Sequence, residues 1–238
     1  MCGFTGCFSF KSINPQDIEE GNKIAVCRGP DNQKNISGKE GINFDLWFNR
    51  LSIIDLNENA NQPMVSSSLN SLIMFNGEIY NSNNLRHQGD LKNYDFKTSH
   101  SDTETLLAGL DIGGIEFIQN LEGQFAFVYW NKKEQKIFFV KDRLSQKPLY
   151  FNLDQKTITF ASNLKSILKI LKNTSINDNF IKQYIAYGVV FSPNTIFENI
   201  LKIEPGHYIE IDYSDNSFNT LVKKYWQPTD FIENKKFS

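Results

Sequence analysis

Residues 42–49 read Ile-Asn-Phe-Asp-Leu-Trp-Phe-Asn, so that Ile42, Phe44, Leu46 and Phe48 alternate with Asn43, Asp45, Trp47 and Asn49. A period of two marks a strand. Short β-rich runs of this kind recur along the chain and limit it to folds built from many short strands. Phe4, Cys7, Phe8 and Phe10 place a first strand within the opening 20 residues. Residues 51–56 and 72–75 are two more, the second stopped by Asn76-Gly77, a turn signal. The aromatic runs 123–130 and 136–141 flank the polar residues 131–135 and predict a hairpin. A second hairpin is expected over 149–153 and 157–161, turning at Asp154-Gln155-Lys156, and a further strand over 206–213.

Helical patterns lie between these runs. Residues 17–27 carry Ile18, Ile24 and Ala25; 164–171 and 180–187 have helical spacing as well. Ser101-Asp102-Thr103-Glu104 has the form of a capping box ahead of Leu106, Leu107 and Leu110, with Gly113 and Gly114 as the stop. Antiparallel strands with segregated helices predict an α+β fold whose sheets pack face to face. With 238 residues and 40% hydrophobic content, the chain can bury a large core, and disorder is excluded. Past about Tyr225 it turns polar, as a linker or tail does, and no internal repeat is present.

Charge and cysteine usage narrow the function. Lys+Arg 25 against Asp+Glu 27 gives a net charge of −2, which supports neither a nucleic-acid nor an anionic-membrane partner. The longest apolar stretch, 125–130, is far below the ~20 residues that span a bilayer. The start, Met-Cys-Gly-Phe-Thr-Gly, has no basic region or leader and predicts no signal peptide or lipid anchor. Three cysteines make no disulfide framework, so a reducing cytoplasm is expected.

One of those cysteines is the second residue. Removal of Met1 would leave Cys2 with a free α-amine of pKa roughly 7.7–8.0, able to take the thiol proton itself. Nucleophile and base then sit on one residue, and none of His87, His100 or His207 is required. A retained Met1 would block this chemistry. Gly3 and Gly6 are expected to clear space for a substrate beside the backbone. Asn76-Gly77 offers a side-chain amide and an open backbone N–H for an oxyanion. Arg50 suits a carboxylate, and Asp102 suits an ammonium. Taken singly, each has a plainer reading: a frayed terminal cysteine, a β-turn, a surface ion pair, a favourable helix-start charge. A Cys2, Cys7, Cys27 metal cluster finds no support, since spacings of 5 and 20 match no zinc pattern.

Ordered motifs carry a resemblance. They include Met-Cys-Gly-Phe-Thr-Gly (1–6), Arg-Gly-Pro-Asp (28–31), Asn-Arg-Leu-Ser-Ile-Ile-Asp-Leu (49–56), Gln-Pro-Met (62–64) and Phe-Asn-Gly-Glu-Ile-Tyr-Asn (75–81). Ser-Asp-Thr-Glu (101–104), Asp-Arg (142–143), Lys-Pro-Leu-Tyr (147–150), Phe-Ala-Ser (160–162) and Pro-Gly-His (205–207) follow. Over residues 2–226 the chain resembles the N-terminal glutaminase domain of glutamine-hydrolysing asparagine synthetase, a class II glutamine amidotransferase, leaving 227–238 as the tail. The resemblance implies a four-layer αββα sandwich of the N-terminal-nucleophile type. It implies Cys2 as nucleophile, Asn76 and Gly77 as oxyanion donors, and Arg50 on the carboxylate of glutamine. Glu78 and Asp102 would surround the α-amine, Leu51 through Ile53 would line the pocket, and Arg28 and Asp31 would support it. Asp142-Arg143 and the 147–150 run are expected on hairpins, as structure or as partner contacts.

The chain also departs from that family. Lys141 stands for the common Arg, Ser145 for Gly and Asn163 for Glu, and the residues after Asp31 lack the usual Gly. The Ser-Gly-Gly-x-Asp-Ser nucleotide loop of the synthetase domain is absent, so no cofactor or metal is expected in this chain. ATP and Mg would belong to a synthetase domain or partner in cis or trans. Aspartate is the first expectation for the ammonia acceptor and a sugar the alternative. A silent regulatory domain is the competing reading, and homodimer formation is compatible with either.

Overall fold

A computed structural model describes residues 2–231. Twelve strands and five α-helices are formed among them. In chain order they are β1 (Gly3–Ser9), α1 (Pro15–Ala25), β2 (Asn32–Glu40), β3 (Ile42–Arg50), β4 (Met64–Val65), β5 (Ser71–Ile79), α2 (Ser82–Arg86), α3 (Asp102–Gly113), β6 (Gly123–Asn131), β7 (Lys136–Lys141) and β8 (Tyr150–Leu153). β9 (Thr157–Ala161), α4 (Leu164–Leu171), α5 (Asp178–Tyr187), β10 (Leu201–Lys202), β11 (His207–Asp212) and β12 (Asn219–Lys224) complete them. None of these helices is long and apolar enough to cross a membrane.

The strands form two six-stranded sheets, ordered β10-β8-β9-β1-β3-β2 and β12-β11-β7-β6-β5-β4. Every pairing is antiparallel. Alternation assigns the faces. Leu72 and Met74 of β5, with Ala126, Val128 and Trp130 of β6, enter the core between the sheets, where they meet Phe4, Phe8, Leu46 and Phe160. Ile73 and Phe75, with Phe125, Phe127 and Tyr129, face the other way, onto Leu106, Leu107 and Leu110 of α3. Helices α1 and α4 cover the first sheet. The result is a four-layer αββα sandwich of the α+β class.

Several sequence expectations are corrected. Residues 51–56 form no strand: Ile53 and Leu56 are exposed, and the segment is a loop that wraps a cavity. Asn76-Gly77 does not turn, because β5 runs through it to Ile79 in register with β6. Glycine is needed there for clearance, since a Cβ on Gly77 would lie 2.2 Å from the Gln124 carbonyl oxygen. The capping box does not close. Ser101 makes no side-chain cap bond, while Glu104 accepts from the Lys97 and Thr98 amides at 2.7 and 2.8 Å and lies 3.6 Å from buried Arg86.

Gly3 and Gly6 serve packing rather than substrate access. A Cβ would come within 2.8 Å of the Ala25 carbonyl oxygen at Gly3 and 2.4 Å of the Phe160 ring at Gly6. Cys7 is in the core, whereas Cys27 is exposed in the turn that follows α1. Asp142 and residues 147–149 lie on the β7–β8 connection, not on a hairpin. Residues 228–231 make a 3-10 turn, and the rest of the expected tail, with Met1, lies outside the described residues.

Candidate active site

β1 is an inner strand, between β9 and β3, and Cys2 stands at its start. The thiol sulfur accepts the Leu51 N–H at 3.4 Å and lies 3.8 Å from the Leu51 carbonyl oxygen, just past the end of β3. Arg28 Nε donates to the Cys2 carbonyl at 3.2 Å, and Asp31 accepts the Ser52 N–H at 2.7 Å. These two residues therefore brace the strand and the loop from outside the cavity. Burial pushes the Cys2 thiol above its ordinary value, opposed by the Leu51 N–H bond. At neutral pH the sulfur keeps its proton until a base removes it.

The open edge of β5 supplies another wall. In an antiparallel pair, alternate residues direct both backbone groups away from the neighbour strand. Phe125, the β6 partner of Gly77, directs its N–H and C=O to Asp142, at 3.1 and 2.9 Å. Gly77 therefore makes no ladder bond with it, and its N–H points to the free edge along with those of Phe75 and Ile79. Phe75 N–H is taken by the Gln62 side chain at 2.6 Å, and Ile79 N–H by the Asp102 carboxylate at 3.1 Å. Between those two anchored positions Gly77 N–H faces the cavity. Asn76 is 1% exposed, and its Nδ2 has no acceptor among the described residues. A buried amide donor left unpaired costs about 1–3 kcal/mol and is uncommon in a folded chain.

The charged groups are held by backbone. Arg50 Nη1 donates to the Asn57 carbonyl at 3.1 Å and to Asn61 Oδ1 at 2.8 Å, and Nη2 donates to the Asp55 carbonyl. The Asp55 carboxylate, held below its ordinary range despite burial by the Asn57 and His100 amides, fixes that loop in turn. Asp102, in the first turn of α3, has its carboxyl raised to about 6 by burial; the Ile79 N–H opposes the rise and nearby Glu78 adds to it. A cation placed beside Asp102 would restore its charge.

Cys2, Arg50, Leu51, Ile53, Asn76, Gly77, Glu78 and Asp102 all line one cavity of about 170 Å³. Of the residues expected at the site, Arg28, Asp31 and Ser52 are not on its wall; Ser52 is bonded instead to Asp31. The sequence reading did not place Asp55, Gln62, Gln124 or Lys147 there, yet all four line it. Gln62, Asp55 and Lys147 fall within the quoted motifs, which was the available signal; Gln124 carried none. The cavity offers a thiol, two N–H donors, a fixed cation and a buried carboxylate. That set suits acyl transfer on a small amino acid.

The chain resembles known proteins over nearly its whole length. Asparagine synthetase [glutamine-hydrolyzing] 1 of Bacillus subtilis is 35% identical over 99% of this chain and 37% of its own length. A putative asparagine synthetase [glutamine-hydrolyzing] 2 of Methanocaldococcus jannaschii is 30% identical over 97% of this chain and 47% of its own. The chain therefore spans under half the length of both relatives. In fold it matches the glutamine phosphoribosylpyrophosphate amidotransferase of B. subtilis, with TM-score 0.65, 16% identity, and coverage of 94% of this chain and 49% of that one. A family model described as glutamine amidotransferase domain matches residues 1–226, and the chain belongs to that family.

Proposed function

We propose that this chain hydrolyses glutamine to glutamate and ammonia through a thioester on Cys2. With Met1 removed, the Cys2 α-amine takes the thiol proton and the sulfur attacks the carboxamide carbon. The carbonyl electrons move to oxygen, which Asn76 Nδ2 and Gly77 N–H receive. The oxyanion collapses, the C–N bond breaks, and the nitrogen leaves as ammonia with the proton of the α-ammonium. Water then adds to the thioester through the same oxyanion, releasing glutamate and the thiol. Arg50 binds the substrate carboxylate, while Asp102 and Glu78 bind its ammonium. Leu51 and Ile53 flank it, and Arg28 and Asp31 keep the nucleophile and loop in place.

The unpaired Asn76 amide on the wall of the cavity that also holds Cys2 carries this reading. Asn22 Nδ2 is also buried without an acceptor but lies off the cavity, whereas Asn76 is on the cavity wall, where an oxygen that appears only during the reaction would meet its donor. The test is glutamate release by protein whose intact mass lacks Met1. Release that is abolished by Cys2→Ala is expected; processed protein that releases none overturns the reading.

The ammonia would pass to an ATP-dependent synthetase unit for amidation of aspartate, with a sugar as the alternative acceptor. The relatives' greater length supports such a unit. So does a second hollow of about 740 Å³ between the 141–150 connection and residues 189–192, where exposed Phe191 packs against exposed Tyr187 of α5 with ring centroids 5.6 Å apart. Lys147 lines the catalytic cavity while its neighbours line this hollow, so one loop forms a wall of each. No cofactor is assigned to this chain itself, and ATP with Mg belongs to the synthetase unit. The reaction is set in the cytoplasm, where Cys2 stays reduced.

A further inference from the structure

From the hydrogen bonds at the edge of β5 we infer that Gln62 is a positioning residue for catalysis, its side chain acting as a substitute strand that holds the oxyanion donors in line. The inference rests on the glutaminase reading. β4 is two residues long and pairs with β5 only at Ile73 and Leu72. Past that point the edge of β5 has no backbone partner from β4. Gln62 Oε1 accepts the Phe75 N–H at 2.6 Å and Nε2 donates to the Phe75 carbonyl at 3.2 Å. A primary amide thus meets a backbone peptide group as the next residue of β4 would.

The position of this clamp decides its effect. Phe75 immediately precedes Asn76, and the next edge-facing amide is that of Gly77. Nε2 also reaches Thr103 Oγ1 at 3.3 Å, beside Asp102 on α3. One buried side chain, 4% exposed, therefore ties the strand carrying both oxyanion donors to the helix carrying the candidate ammonium ligand. Gln62 lines the cavity, but its polar atoms are committed to protein groups, so its influence on the substrate passes through Phe75 and Thr103. Its amide orientation follows from the network, since Phe75 offers one donor and one acceptor.

Gln62→Met keeps length and apolar bulk while removing all three bonds, and Gln62→Glu keeps the acceptor and loses the donor. Both are compared with wild type, with Met1 removal verified by mass. Measured quantities are kcat and KM for glutamine, inhibition by the γ-aldehyde analogue of glutamate, Cys2 alkylation by iodoacetamide, and the melting temperature. Misplaced donors should lower kcat by ~10–100-fold with KM changed far less. Affinity for the aldehyde, whose thiol adduct places an oxygen in the same position, should fall in parallel. The alkylation rate, which needs no oxyanion, should stay within about twofold.

If kcat and aldehyde affinity hold in folded variants, the positioning role is wrong. If kcat falls while aldehyde affinity is unchanged, or alkylation falls equally with both, Gln62 acts on general structure instead. Variants that melt too low are replaced by Thr103→Val, which removes one anchor of the clamp and carries the same expectations at smaller amplitude. Wild type that neither hydrolyses glutamine nor binds the aldehyde sinks the glutaminase reading instead, and the outcomes stay distinct.

Discussion

The catalytic cavity and the hollow beside α5 differ in how they hold charge. In the first, Arg50 is fixed by three acceptors on one loop and Asp102 by the Ile79 amide, while Asn76 is buried and Cys2 half-buried. In the second, Lys141 and Lys202 bond only to backbone carbonyls; burial lowers both ammonium groups, Lys141 to about 8. Exposed Val189 and Phe191 stand at its rim. One region is complete without a partner, since its donors and charges already converge on a small volume. The other has cations without facing carboxylate bonds and apolar surface left in solvent, the state of a surface that a partner finishes. Activity of the isolated chain should therefore depend on the first region and be nearly blind to the second.

Removing the proposed nucleophile is the largest expected effect. Cys2→Ala should lower kcat for glutamine by ~10⁴-fold or more, because no other group in the cavity forms the thioester. Residual activity within tenfold of wild type would place the chemistry elsewhere. Asn76→Ala should cost ~10²–10³-fold in kcat, or about 2.7–4 kcal/mol, with KM nearly constant, since the donor acts on an oxyanion absent from the ground state. A KM effect without a kcat effect would make Asn76 a binding residue.

Asp102→Asn ranks next and has two signatures of opposite sign. Loss of the ammonium partner should raise KM by roughly 10–100-fold, the weight of ~1.5–3 kcal/mol for a charged hydrogen bond. Stability should move the other way. The folded carboxyl titrates at about 6, above the ~3.9 of an unfolded chain. The fold thus favours the protonated form, an advantage complete below about pH 4 and lost as pH rises through 6. A neutral carboxamide keeps that state at all pH values. The variant should therefore be more stable than wild type by about 1–3 kcal/mol above pH 6 and no more stable below pH 4. Urea melts at the two pH values decide it, and a variant less stable at pH 7.5 overturns the burial argument. In wild type, KM for glutamine should rise as pH falls through 6 and Asp102 protonates.

How much of this was legible in the sequence follows the same division between apolar pattern and backbone geometry. β3, the β6–β7 hairpin and the β8–β9 hairpin declared themselves because their side chains build the core. β2 and β12 did not: Asn-Gln-Lys-Asn-Ile-Ser-Gly-Lys-Glu and Asn-Thr-Leu-Val-Lys-Lys are polar edge strands held by ladder bonds to one neighbour. Residues 51–56 looked like a strand because the run is short and rich in Ile and Leu, yet Leu51 and Ile53 face a cavity, not the core. Asn-Gly misled because its glycine answers an interstrand clearance rather than a turn. The motifs located the cavity's wall, but Gln62 and Asp55 act through backbone amides and carbonyls that carry no residue identity. Their work shows only when the loop and the strand edge are in place.

The smallest prediction concerns the loop that both regions share. Asp142 gathers the amides of Leu144, Gln146 and Lys147 at 2.9–3.2 Å, and this wrapping drives Ser145 to φ +57, in the left-handed region. A side chain there costs ~1–2 kcal/mol, which fits the glycine that the resemblance leads one to expect at this position. Glycine, however, gives back ~0.5–1 kcal/mol as freedom of the unfolded chain. Ser145→Gly should therefore stabilise by about 0.5 kcal/mol, raising the melting temperature by ~1–2 °C in a chain of this size. Since Ser145 lines the hollow and not the catalytic cavity, kcat and KM should stay unchanged. A clear loss of stability would mean the left-handed turn is not strained. A change in kcat would mean that the shared loop transmits between the two regions even without a partner, and that the catalytic cavity is less self-contained than its bonding implies.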